Sequence, residues 1–67
     1  MIKIFKEGDI VRLKANSIIL TIDNKKLYCG LKIIKIIETS NQLFKIQILK
    51  DPKFPDEHYL CEKKYLL

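Results

Sequence analysis

Short stretches of alternating apolar and polar side chains recur along this chain of 67 residues. The clearest is 44–48, where three apolar side chains alternate with Lys45 and Gln47. Stretch 9–14 alternates in the same way near the start of the chain. Because successive side chains of a β-strand point to opposite faces, this period of two residues predicts a sheet with one buried face.

Residues 31–38 carry four isoleucines within five positions, 33–37. The spacing of Leu27, Leu31 and Ile34 also fits one face of a helix, so periodicity alone leaves this segment open. β-Branched side chains crowd a helix and pack well on a sheet, which favours a strand. We therefore predict a hairpin in which this segment pairs antiparallel with 44–48 and the apolar side chains of 44–48 form its inner face.

The remaining chain predicts short elements joined by irregular segments. Two prolines make 51–56 a rigid loop, and 62–64 suits one 3₁₀ turn. Segment 16–30 is a long connection that holds either a loop or a loose hairpin, and residues 1–5 fit an extended arm or a short edge strand. Gly30 is expected where the backbone needs a positive φ or a close approach. The predicted strands are, in chain order, 9–14, 31–38, 44–48, 58–61 and 65–67.

The opening of the chain combines an aromatic residue, a Gly-Asp turn, two strand apolars, a Leu-Lys pair and a Leu-Thr-Ile triplet. This order resembles the small bacterial YodC-like family, and KOW and Tudor-type modules share its first part. The matching residues are Phe5, Gly8, Asp9, Ile10, Val11, Leu13, Lys14, Leu20, Thr21 and Ile22, with Cys29 at the family's central cysteine.

The order of predicted elements resembles the SH3-like barrel superfold over most of the chain. The resemblance implies an all-β fold: a small five-stranded SH3-like barrel with a long first loop and a short 3₁₀ turn before the last strand. It implies no established activity, because one superfold hosts many unrelated functions.

The composition fits one globular domain spanning 1–67, since 48% of the residues are hydrophobic. The formal net charge of +5 is compatible with a nucleic-acid partner. The charge is almost all lysine, with Arg12 the one arginine, and joint enrichment in lysine and isoleucine is also typical of AT-rich genomes. Both interpretations of the charge stay open at this point.

Catalytic and metal-binding chemistry have little support in this sequence. A zinc site needs four ligands, usually with a close cysteine pair, and the available set is Cys29, His58 and Cys61. Without an export signal, the two cysteines are expected to be reduced and buried. The acidic neighbours of His58 alternate with it on one short strand, which does not build a catalytic pocket. We predict a non-enzymatic protein without a metal or a cofactor.

Two kinds of partner are considered for this module. A protein partner would use aromatic side chains, which offer apolar area at low entropic cost; the candidates are Tyr28, Phe54 and Tyr59. Tyr59 equally fits a packing role inside the barrel. A nucleic acid would use a cationic face on the sheet; the candidates are Arg12, Lys14, Lys35 and Lys45. Pairing that brought Arg12 near Lys45 would favour an anionic partner. We expect a protein partner, with nucleic acid as the alternative.

The location and assembly of the protein follow from equally simple features. No apolar run approaches the roughly 20 residues that span a bilayer, and charged residues interrupt the N-terminal segment. These features predict a cytoplasmic protein that does not enter membranes. Edge strands rich in isoleucine can pair with a second copy of the chain, so a homo-oligomer is also compatible with the sequence.

Overall fold

The computed structural model describes residues 4–49, 51–55 and 58–67. The first part of the arm predicted at 1–5, and the end of the loop predicted at 51–56, lie outside the described residues. The described residues form an all-β structure, one antiparallel sheet in the order β1-β4-β5-β6-β2-β3, followed by a 3₁₀ turn at Lys63–Tyr65. The strands are β1 (Ile10–Arg12), β2 (Ile18–Leu20), β3 (Lys26–Tyr28), β4 (Ile33–Glu38), β5 (Leu43–Ile48) and β6 (Tyr59–Glu62).

The predicted central hairpin is confirmed. Strands β4 and β5 pair antiparallel, with Ile36 opposite Ile46 and Ile34 opposite Ile48. The helical alternative for this region is wrong, because Leu27 lies in β3 and Ile34 lies in β4. The burial of β5 alternates strictly, so every second side chain enters the core.

The prediction of five strands is corrected to six among the described residues. Segment 16–30 is a hairpin, in which β2 pairs with β3 and also with β6, where Ile19 lies opposite Cys61. At the other end, the strand predicted at 65–67 is reduced to one bridge between Leu66 and Leu13. The run of apolar residues in β2 therefore pairs on both sides, whereas the segment after the 3₁₀ turn forms one bridge among the described residues.

The core lies on the inner face of the sheet and includes the inward side chains of β2, β4, β5 and β6. Several of these are fully shielded from solvent: Ile19, Ile34, Ile36 and Ile46 are each 0% exposed. The buried Ser17 hydroxyl donates to the Lys14 carbonyl, so this polar group has a partner. The inner face is thus packed in the way that the alternating pattern predicts.

The start of the chain meets its last residues beside β1. The Lys14 amide donates to the Tyr65 carbonyl at 2.8 Å, and the Leu67 amide donates to the Arg12 carbonyl at 2.9 Å. These two bonds flank the bridge between Leu13 and Leu66. They attach the segment after the 3₁₀ turn to the side of β1 that faces away from β4.

Gly30 lies where two backbone segments approach closely, which is one of the two roles predicted for it. A Cβ atom at this position would lie 3.2 Å from the Asn16 amide nitrogen, closer than most real Cβ contacts. The residue lets the entry and the exit of the β2–β3 hairpin approach each other.

Candidate binding groove and basic face

An apolar groove runs across the outer side of the sheet, opposite the core. Its floor consists of half-buried aliphatic side chains from three strands: Ile18 and Leu20 of β2, Leu43 of β5 and Leu60 of β6. Leu20 lies directly opposite Leu60 in the ladder between β2 and β6. The cavity over this floor has a volume of about 270 Å³. An outward face of this composition departs from the polar surface expected on the solvent side of an antiparallel sheet.

The rim of the groove is charged and includes the 3₁₀ turn. Lys64 Nζ lies 3.1 Å from Glu62 Oε2 and 5.2 Å from the centre of the Tyr65 ring. The hydrogen bond to Glu62 raises the pKa of Lys64 above its ordinary value. Lys26 of β3 lines the opposite rim and has no ion pair with any described residue. The rim therefore presents one compensated and one uncompensated cation.

A second cavity of about 250 Å³ extends the groove towards the central hairpin. It shares Leu43 and Leu60 with the first cavity and adds Ser40 at its end. Lys45 and Glu38 also line it, and Lys45 Nζ lies 3.3 Å from Glu38 Oε2. The β2–β3 hairpin, the central hairpin and the 3₁₀ turn thus border one continuous depression.

Two of the predicted site residues lie at this groove. Lys45 lines its second cavity. Tyr28 is 81% exposed and lies opposite Ile18 in the ladder between β2 and β3, beside the cavity and outside its lining.

Two other predicted site residues pack inside the protein. Tyr59 is 1% exposed, and its ring meets the half-buried ring of Phe54 edge to face, with centroids 5.8 Å apart. The alternation that puts Cys61 in the core also turns Tyr59 inward, because both lie on the same face of β6. These two aromatic side chains are part of the packing and not of the groove.

The predicted cationic residues lie on different strands: Arg12 on β1, Lys35 on β4 and Lys45 on β5. Strand β1 pairs with β4 and not with β5, so Arg12 lies opposite Ile33 and away from the Lys45 position. Arg12, Lys14 and Lys35 remain exposed on the β1 side of the sheet, and none of them forms an ion pair with a described residue. The pairing of Arg12 near Lys45 that would have favoured an anionic partner is therefore not present, because β1 pairs with β4.

The aliphatic floor was missed at the level of sequence. The signal was present in the run Ile18-Ile19-Leu20, since a strand that is apolar on both faces is expected to be covered on both. Leu43 and Leu60 gave no such signal alone, because each is a lone apolar residue at an outward position. Only the strand order brings them beside β2.

The two cysteines are free thiols in the core. Burial raises the pKa of Cys29 to about 11 and that of Cys61 to about 12. Both thiols are therefore protonated at neutral pH, and a thiol in that state is a poor nucleophile and a poor metal ligand. Within the described ranges, no three residues of the histidine, cysteine, aspartate and glutamate types lie close enough to hold a metal ion.

Comparison of the chain with protein-family models, with curated proteins and with solved structures finds no match. Over the part of the chain that the structure describes, no helix is long and apolar enough to cross a membrane.

Proposed function

We propose that this chain is an SH3-like barrel that serves as a non-enzymatic interaction module and binds a segment of a protein partner in the groove. The barrel assignment is supported by the bridge between Leu13 and Leu66, which joins the first strand to the segment after the 3₁₀ turn. It is also supported by the sequence order of a long first hairpin, a central hairpin and a 3₁₀ turn.

The observation that carries the proposed function is the aliphatic floor on the outer face of the sheet. Apolar side chains that face solvent do not contribute to the core. A contiguous set of them with a polar rim is typical of an interaction site. Lys26 on one rim and Lys45 at the far end favour a segment that combines apolar side chains with carboxylates. Because the groove is open and shallow, it suits an extended chain better than an enclosed small molecule.

Catalysis has no comparable support in the described residues. The protonated thiols of Cys29 and Cys61 are buried, and the groove is lined by aliphatic, lysine and glutamate side chains with Ser40 and Tyr65, without a histidine or a cysteine. A nucleophile needs a base within hydrogen-bonding reach. The groove offers an aliphatic floor and lysine side chains, which suit the binding of a peptide segment.

Selection from a random peptide phage library tests the groove. Clones enriched on the unmodified protein are expected to lose at least about tenfold in affinity for Leu20→Lys, because the new ammonium group would lie on the apolar floor opposite Leu60. Titration of the enriched peptides, followed by amide chemical shifts, should move signals of β2, β6 and the 3₁₀ turn.

Ile22→Lys is the matched control for this variant. Ile22 is two residues further along and 69% exposed in the turn after β2, so the same substitution there should leave peptide affinity unchanged. Circular dichroism of both variants checks that they are folded. Failure to enrich any clone, or equal losses in the two variants, would contradict a peptide-binding groove.

Nucleic-acid binding, the alternative from the sequence, is disfavoured by the division of the basic residues. Lys32 is held by Asp51, with Nζ 2.6 Å from Oδ2, and Lys45 is held by Glu38. We expect a mixed-sequence oligonucleotide to bind weakly and to dissociate at physiological salt, since few phosphates can be neutralised. Fluorescence anisotropy over a salt series measures this, and micromolar affinity at physiological salt that is lost in Lys35→Glu/Lys45→Glu would show the alternative to be right.

A further inference from the structure

A second surface, which shares no residue with the groove, lies on the β1 side of the sheet. We call it the β1–β4 face; its residues are Ile10, Arg12, Lys14, Ile33, Lys35 and Leu67. The three aliphatic members are 57%, 46% and 44% exposed for Ile10, Ile33 and Leu67. Large aliphatic side chains this exposed mark an interaction surface when they are contiguous.

The strand register makes these residues neighbours. Ile10 lies opposite Lys35 and Arg12 lies opposite Ile33 in the ladder between β1 and β4. Residues directly or diagonally opposite on one face of a sheet are close enough for their side chains to interact. Leu67 joins them because its amide donates to the Arg12 carbonyl at 2.9 Å. Cations and aliphatic side chains therefore alternate across one continuous surface.

The charge on this face is uncompensated. Arg12, Lys14 and Lys35 have no ion pair with any described residue, in contrast to Lys32, Lys45 and Lys64. A second copy of the chain would bring the same three cations into opposition, so the face does not suit a symmetric dimer. Its complement is a surface that carries carboxylates and apolar side chains together.

The backbone of β1 adds a second way to recognise such a partner. The Arg12 carbonyl and the Lys14 amide form hydrogen bonds with the segment 65–67. The peptide groups of these even-numbered residues therefore point away from β4. By the alternation of a strand, the peptide groups of Ile10 point to the same side. Among the described residues, no strand pairs with Ile10 there. An extended segment can pair with Ile10 on this side of β1.

We propose that the β1–β4 face binds an extended acidic segment of a protein partner, which adds beside Ile10 as an edge strand. Its carboxylates would pair with Arg12 and Lys35, and its apolar side chains would pack on Ile10 and Ile33. The aliphatic members favour a protein over a nucleic acid, because bases stack on aromatic side chains and the face has none. This site is independent of the peptide groove.

The probe for this face is a synthetic peptide of about eight residues in which glutamate alternates with valine. Titrated into isotopically labelled Leu20→Lys protein, whose groove is disrupted, it should still shift the amide signals of β1 and β4 and leave those of Leu43 and Leu60 unchanged. The variant Arg12→Glu/Lys35→Glu should lose at least about tenfold in affinity, since both charge pairs become repulsive. Exposed charges contribute little to folding, so this variant should keep its thermal stability.

Two controls separate the proposal from simple attraction between opposite charges. Lys25→Glu/Lys63→Glu makes the same change in net charge away from this face and should retain affinity, and Arg12→Lys/Lys35→Arg should retain it as well. Equal losses in both reversal variants, or no saturable shifts in β1, would overturn the proposal. A mixed-sequence oligonucleotide or phosphatidylglycerol vesicles that shift the β1 signals where the peptide does not would also overturn it, in favour of those partners.

Discussion

Replacing Ile46 with alanine is expected to lower the free energy of unfolding by about 2–4 kcal/mol. Ile46 is 0% exposed and lies at the centre of the sheet, opposite Ile36 on β4 and opposite Tyr59 on β6. Truncation removes apolar area and leaves a cavity that two paired strands hold open. For a domain of this size, whose stability is a few kcal/mol, the loss is a large part of the total. Urea unfolding followed by circular dichroism measures it.

Gln47→Ala is the control for this prediction. Gln47 is the next residue of β5 and points to the outer face, opposite Lys35. Its truncation should change stability by no more than about 0.5 kcal/mol, as is usual for surface positions. A loss below about 1 kcal/mol for Ile46→Ala would contradict both the register and the core assignment.

Alkaline pH is expected to unfold the protein through its two buried thiols. Their pKa values in the folded state, about 11 for Cys29 and about 12 for Cys61, lie above the ordinary value of 9.0. The unfolded chain therefore releases these protons first, so the stabilisation is complete below pH 9 and is lost as the pH rises towards the folded values. Each thiol contributes a slope of roughly 1.4 kcal/mol per pH unit in this window.

The double variant Cys29→Ala/Cys61→Ala separates this effect from other titrations. It should be less stable than the unmodified protein at neutral pH, because it loses packing, but its stability should depend less steeply on pH above 9. The ion pair of Lys64 with Glu62, which raises the pKa of this lysine, is present in both proteins and cancels in the comparison. Urea unfolding at a series of alkaline pH values measures both slopes, and equal slopes would show that the thiols do not cause the loss.

The central hairpin was predictable because its evidence is local. In β5, Lys45 and Gln47 separate the three inward apolar residues, and a period of two residues distinguishes a strand from a helix without knowledge of the rest of the chain. Segment 31–38 was ambiguous by spacing, and the stiffness of its β-branched side chains decided correctly for a strand. The burial of both cysteines was predicted from the small apolar character of this residue type and not from the local alternation.

The β2–β3 hairpin was less accessible, because β2 depends on a partner that is distant in sequence. Residues 18–20 are apolar on both faces of β2, which pairs with β6. Ile19 enters the core, and Ile18 and Leu20 lie in the groove floor. The same pairing brings Leu20 to Leu60 and so creates the groove floor. The local sequence around either leucine does not indicate that the two side chains lie side by side.

By itself, the sequence determined that this protein is all-β, which segments alternate, and which side chains of the central hairpin face the core. These properties depend on neighbours within a few residues. Only the tertiary structure decided that Tyr59 is core, that Arg12 lies apart from Lys45, and that aliphatic side chains of three strands meet in a groove. The order of strands in a sheet sets these contacts, and that order results from the packing of the whole chain.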